Sequence, residues 1–76
     1  MYALIKQDKV RVQLAVLNMN QTQFAKHVGI ASTYFSSIYN GKRISVKTAE
    51  RIAVALNGNL EDYFKIFIGN REIQFV

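Results

Sequence analysis

A mainly α fold, five short helices followed by a short C-terminal β-hairpin or strand extension, is what three features of the sequence predict. Apolar residues recur at helical spacing in blocks opened by capping side chains. The four glycines, at positions 29, 41, 58 and 69, fall between those blocks, and no proline interrupts them. The last dozen residues then change character, with short β-prone runs on either side of Gly69-Asn70. The 76 residues make one domain, half hydrophobic and a fifth charged, without cysteine. A domain of that size buries only about 60% of its unfolded surface, so with disulfides and thiolate metal sites excluded its core rests on helix packing or on a partner chain. The sequence divides into a helical domain, residues 1–65, and a β-prone extension, residues 66–76.

The first helix is expected from Asp8, as its N-cap, to Leu17, because Val10, Leu14 and Leu17 fall at i, i+4, i+7. Val12 and Val16 lie on its opposite face, and a five-helix core cannot bury both faces. Asn18 ends the helix, and Met19 packs ahead of the next cap, Asn20, which opens a helix from Gln21 to Val28 with Phe24, Ala25 and Val28 on one face. Gly29 stands where a helix ends by turning left-handed, and Ile30 fills the gap before a third helix, Ser32 to Tyr39. Phe35 and Ile38 are its inward pair, so Thr33, Ser36, Ser37 and, less fully, Tyr34 point outward. After the Asn40-Gly41 turn, Ser45 caps a fourth helix to Leu56 whose Val46, Ala49, Ile52, Ala53 and Leu56 share a face. Asn57-Gly58 closes it, and Asn59 with Asp62 has the spacing of a capping pair for a short fifth helix carrying Leu60, Tyr63 and Phe64. Ile66, Phe67 and Ile68 precede Gly69-Asn70, while Ile73 and Phe75 alternate with Glu72 and Gln74, as in a hairpin. Tyr2 to Ile5 is β-prone too, and either adds a strand to that ribbon or leads into the first helix.

Charge narrows the function classes. Ten Lys and Arg stand against five Asp and Glu, a net +5. The excess belongs to residues 1–60, where Lys6, Lys9, Arg11, Lys26, Lys42, Arg43, Lys47 and Arg51 face only Asp8 and Glu50. A basic body suits a polyanion such as nucleic acid, although mild positive charge is also an ordinary solubility device. The N-terminus reaches charge by Lys6, too early for a secretory apolar region, and no apolar run approaches the roughly 18 residues of a membrane span, so a cytoplasmic location is expected. One His, two Asp and three Glu show no paired carboxylates, nucleophile with base, phosphate loop or metal set, so neither an enzyme nor a cofactor is expected. His27 stands alone, a surface residue by default.

The stretch QTQFAKHVGIASTYFSSI, Gln21 to Ile38, carries the most information. Ala25 lets two helix backbones approach, Gly29 makes the turn, and Phe24, Val28, Ile30, Phe35 and Ile38 fill the wedge. This is a helix-turn-helix pattern; the competing reading is a generic helical hairpin in a bundle.

From Met19 to Phe64 the run MNQTQFAKHVGIASTYFSSIYNGKRISVKTAERIAVALNGNLEDYF resembles the five-helix, λ-repressor-like DNA-binding domain of the phage Cro and λ repressor class, which includes the bacterial xenobiotic-response-element-type regulators. The resemblance covers about Val10 to Phe64, through Gln21, Ala25, Gly29, Asn40-Gly41, Ser45 and the closing Leu60, Tyr63 and Phe64; the final dozen residues are outside it. It implies a sequence-specific binder of double-stranded DNA in a bacterial or phage-infected cell, sitting as a homodimer on a palindromic operator and repressing transcription. By the same resemblance Ser32, Thr33, Ser36 and Ser37, with Tyr34 beside them, face bases in the major groove. The resemblance likewise implies phosphate contacts for Gln21, Asn40, Lys42 and Arg43; Lys47, near the start of the fourth helix, is positioned to reach the same strand of DNA, and Lys26 and Arg51 are read as surface charges. Hydroxyls both donate and accept, so they discriminate bases less sharply than Arg at guanine or Gln at adenine. Two positions depart from the family: Ala31 stands where a capping Ser or Thr is usual, which makes Ser32 an alternative cap, and Ile44 replaces a frequent proline.

Ile66, Phe67, Ile68, Ile73 and Phe75 are the candidate dimer interface, since a ribbon edge invites pairing with a second copy. The alternative is a hairpin that folds back over Val12 and Val16. An antitoxin-like or anti-repressor protein-interaction module on the same scaffold is the other functional reading. No small-molecule ligand is expected.

Overall fold

The structure, a computed structural model, describes residues 1–74. In chain order the elements are β1 (Tyr2–Ile5), α1 (Gln7–Val16), α2 (Gln21–Val28), α3 (Ser32–Tyr39), α4 (Val46–Ala55), α5 (Leu60–Tyr63), β2 (Phe64–Ile68) and β3 (Arg71–Ile73). Caps set most boundaries. Asn20 Oδ1 accepts from Gln23 N at 2.7 Å while Gln23 Oε1 accepts from Asn20 N at 2.9 Å, a reciprocal box opening α2. The Ser45 hydroxyl accepts from Thr48 N to open α4, and the Asp62 carboxylate accepts from Asn59 N at 2.8 Å to open α5. Asn18 and Asn57, at φ 57° and 63°, provide the left-handed turns after α1 and α4. One start differs from expectation. Lys6, not Asp8, is the N-cap of α1, because the chain enters the helix directly from β1. Asp8 falls in the first turn, where its charge favours the helix's positive end and lies 3.5 Å from Arg11.

The N-terminal segment is a strand. Three antiparallel strands run in the order β1-β2-β3, with Tyr2 opposite Phe67, Ala3 opposite Ile66 and Ile66 opposite Ile73. Alternation turns Ala3, Ile66 and Ile73 towards the core and Tyr2, Phe67 and Glu72 away from it. The central strand contains the 65/66 division expected from sequence, and Ile66 belongs to the same core as Phe24, Phe35, Ile38, Ile52, Leu56 and Phe64. Gly69-Asn70 is a two-residue hairpin loop closed by Ile68 opposite Arg71, with positive φ at Gly69.

The sheet packs on α3, α4 and α5, so the ribbon folds back on its own domain, but away from the outer face of α1. Val12 and Val16 remain 62% and 70% exposed, against the expectation that a folded-back hairpin covers them. Among the described residues no helix is long and apolar enough to cross a membrane.

Helix C-termini leave unpaired carbonyls, and here several are closed from other elements. Gln7 Nε2 donates to Tyr39 O at the end of α3 (3.0 Å), and Gln13 Nε2 donates to Leu56 O at the end of α4 (2.8 Å). Arg51 Nη2 donates to Val28 O at the end of α2 (3.0 Å). Arg51 is therefore a structural tie between α4 and α2 and not simply a surface charge.

Candidate nucleic-acid interface

Short helices α2 and α3 hold their relative position through one apolar wedge. Ala25 is buried, and its carbonyl accepts from both Gly29 N (2.9 Å) and Ile30 N (3.0 Å), which sets the turn; Gly29 sits at φ 91°, a conformation that glycine adopts without a Cβ penalty. The buried rings of Phe24 and Phe35 meet at 5.1 Å and 54°, a tilted aromatic contact that joins α2 to α3 from within. With Phe35 and Ile38 inside, the other faces of α3 must look outward.

Ser32, Thr33, Tyr34 and Ser37 are exposed, and Ser36 is half-buried. Ala31 is the N-cap of α3 and makes no side-chain capping bond, so Ser32 is not the cap and its hydroxyl stays available. Ser37 Oγ donates to Thr33 O at 3.2 Å. In that geometry the hydroxyl presents lone pairs, which suit the exocyclic amino groups of adenine or cytosine in a major groove.

The segment following α3 continues the same surface. Asn40 Nδ2 donates to Ser36 O at 2.9 Å, while Gly41 N and Lys42 N donate to Ile38 O and Ser37 O, a wrapped helix end that presents the exposed Lys42 and Arg43. The next residue, Ile44, is buried and exchanges two backbone hydrogen bonds with Ala3 of β1, at 2.8 and 3.1 Å. Gln21 is half-buried as the first residue of α2. Lys47 is exposed in the first turn of α4, where it lines a shallow groove between α2 and α4 with His27, Glu50, Arg51 and Val54.

Between Asp8 and Glu50 the chain has no carboxylate, and this stretch contains the whole of α2, α3 and the loop to α4. The basic side chains of that stretch, Lys26, Lys42, Arg43 and Lys47, therefore attract a polyanion with no acidic side chain from the same segment to oppose them. No group of three His, Cys, Asp or Glu side chains is placed to hold a metal among the described residues.

Of the residues expected at a dimer interface, Ile66 is withdrawn into the chain's own core and Ile73 packs half-buried against it. Phe67 is half-buried and stacked on Tyr2, and Ile68 is 53% exposed. Phe75 lies outside the described residues. Sequence reasoning missed the stacking of Tyr2 on Phe67 and the ties made by Gln7, Gln13 and Arg51. For Tyr2 the available signal was its alternation with the core residue Ala3; for the three ties there was none, because each bond joins residues distant in sequence.

A family model described as the Cro/C1-type HTH DNA-binding domain matches residues 5–67. The ImmF control region 10 kDa protein of Bacillus phage phi105 is 43% identical over 44 residues, which cover 57% of this chain and 49% of that protein; the match thus spans about half of the relative's length. No solved structure matches the chain significantly.

Proposed function

Since the chain belongs to the Cro/C1-type HTH DNA-binding domain family, we propose that it is a transcriptional regulator, a Cro-like repressor that lays α3 in the major groove of a palindromic operator as a homodimer. The observation that carries this reading is the hydroxyl face of α3, held outward by Phe35 and Ile38 within a stretch free of carboxylates. Ser32, Thr33, Tyr34, Ser36 and Ser37 take the base-facing roles, and Gln21, Asn40, Lys42, Arg43 and Lys47 the phosphate-facing ones. Hydroxyls discriminate modestly, so shape and deformability of the DNA share in the specificity. Two copies a helical turn apart, about 34 Å, add their half-site preferences. The relative's name, which places it in a phage control region, supports a regulatory role.

For the dimer, β3 is an outer strand of the sheet and, among the described residues, its free edge has no partner strand. Antiparallel pairing of that edge with its counterpart in a second copy would continue the sheet across the two chains. The exposed Val12 and Val16 favour the second reading, an antitoxin-like or anti-repressor module that engages another protein.

Selection from a random double-stranded DNA pool at near-physiological salt, with the mass of the bound species determined, tests the proposal. An enriched palindrome carrying two chains supports it, and an enriched site carrying one chain removes the dimer. Absence of enrichment over nonspecific binding moves the assignment to the protein-interaction reading.

A further inference from the structure

The geometry points to Tyr2 as a positioning residue for DNA binding, one that holds the Arg43 guanidinium ready for a backbone phosphate; this rests on the DNA-binding reading above. The guanidinium carbon of Arg43 lies 4.4 Å from the centroid of the Tyr2 ring, and that ring lies 5.1 Å from the Phe67 ring at an interplanar angle of 9°. Three flat groups are thus piled on the outer face of the sheet. Tyr2 and Phe67 are direct cross-strand partners, so the register of β1 with β2 builds the platform.

The backbone brings Arg43 to it. Ala3 and Ile44 exchange a reciprocal pair of hydrogen bonds and both are buried, so the residues just before them, Tyr2 and Arg43, turn together to the other side. Among the described residues Arg43 has no carboxylate within ion-pair reach, in contrast to Arg11, and its guanidinium donates no hydrogen bond, in contrast to that of Arg51. Stacking covers a face of the guanidinium and leaves the donors along its edge for oxygen ligands, the arrangement that phosphate recognition uses. An arginine ordered in advance loses less freedom on contact than one waving on its stem. Lys42, next in the same loop, has no such support. Tyr2 also precedes the residues matched by the family, so β1 ties a part of the chain outside that match to a loop inside it.

The test is a double-mutant cycle on equilibrium binding to a mixed-sequence duplex of about 30 base pairs over a salt series, because phosphate contacts are independent of sequence. Arg43→Ala should weaken binding roughly 5-fold at physiological salt and reduce the salt slope by about 0.9. Tyr2→Leu should weaken it by roughly 2- to 5-fold, the scale of an exposed cation–π contact, whereas Tyr2→Trp should retain wild-type affinity. In the Arg43→Ala background Tyr2→Leu should change nothing further. An equal loss in both backgrounds, or no loss in either, overturns the positioning role while leaving DNA binding intact. If the wild type binds and Arg43→Ala leaves the salt slope unchanged, the arginine is no phosphate contact and the inference falls alone. If the wild type does not bind DNA, both readings fall. A readout that needs no variant is the proton spectrum of the free protein: the Arg43 Cδ protons should be shifted upfield by the Tyr2 ring current, and their absence from that range overturns the stack.

Discussion

Replacing Ala25 by leucine tests the helix-turn-helix packing directly. The Ala25 side chain is 1% exposed, its neighbour Phe24 meets Phe35 at 5.1 Å, and its carbonyl is held by two turn amides, so neither the side chain nor the backbone has room to yield. Exchanging a methyl for an isobutyl group there gains little burial and forces α2 and α3 apart, at a cost of about 1–3 kcal/mol. For a domain of this length each kcal/mol lowers the melting midpoint by about 4–8 °C, so a fall between about 4 and 24 °C is expected. Ala15→Leu is the control: Ala15 is exposed on α1, and a surface change of this kind stays within about 0.5 kcal/mol. Both variants would be melted beside the wild type by far-ultraviolet circular dichroism. Coincident curves for all three would refute the reasoning, since a leucine accommodated at position 25 means that the two helices do not close over it.

Arg51→Met keeps the aliphatic stem but removes the hydrogen bond to Val28 O at the end of α2. With the residue exposed, the loss should be about 1 kcal/mol, or roughly 4–8 °C in the melt, and an unchanged midpoint would return Arg51 to the surface charges. The Tyr63 hydroxyl is held above its ordinary value of 10.0, first by burial and then by the Asp62 charge. The unfolded chain therefore ionises this phenol first, and stability is lost as pH rises from 10.0 through the folded value. Denaturation of Tyr63→Phe over that window should show a flatter pH dependence, and parallel curves would exclude the coupling. On recovered DNA sites, Thr33→Ala and Ser37→Ala should change discrimination between sequences, whereas Lys42→Ala should weaken all of them alike and lower the salt slope by about 0.9. Uniform losses from the α3 variants would make Thr33 and Ser37 phosphate contacts.

What the sequence reveals is local. Asn20 and Gln23, Ser45 and Thr48, and Asn59 and Asp62 meet within a turn of chain, so composition at fixed spacing suffices to place three helix starts. Gly29 announces the turn by needing a left-handed φ, and Phe35 and Ile38 fix the outward face of α3 by period alone. Asp8 misleads because a capping residue is recognisable without its context, and only the pairing of β1 with β2 decides that the helix starts earlier. Gln7, Gln13 and Arg51 are illegible for a related reason. Hydrophobic periodicity records which positions are apolar, and it is blind to a long polar side chain whose stem lies on the surface while its tip reaches a distant carbonyl.

The burial of Ile66 changes what kind of dimer the tail can make. A ribbon offering Ile66 and Ile73 to a second copy would bury an apolar strip, but both face their own core, which leaves Ile68, one face of Phe67 and the polar edge of β3 among the described residues. That strand has three residues, Arg71, Glu72 and Ile73, so two edges in register form only a few backbone hydrogen bonds, each worth about 0.5–1.5 kcal/mol net. Association costs at least about 4 kcal/mol of translational and rotational freedom, so such an edge barely offsets it. On the proposed palindromic operator, DNA would supply the remainder by holding two copies at adjacent half-sites, which makes the second binding event effectively intramolecular. The expectation is a chain that is monomeric in free solution at about micromolar concentration and dimeric on its operator, with binding curves that steepen accordingly. Sedimentation velocity of the free protein and of the complex reads both states; a tight dimer without DNA would mean that the interface lies elsewhere, and the exposed Val12 and Val16 face of α1 would be the first place to substitute a charge.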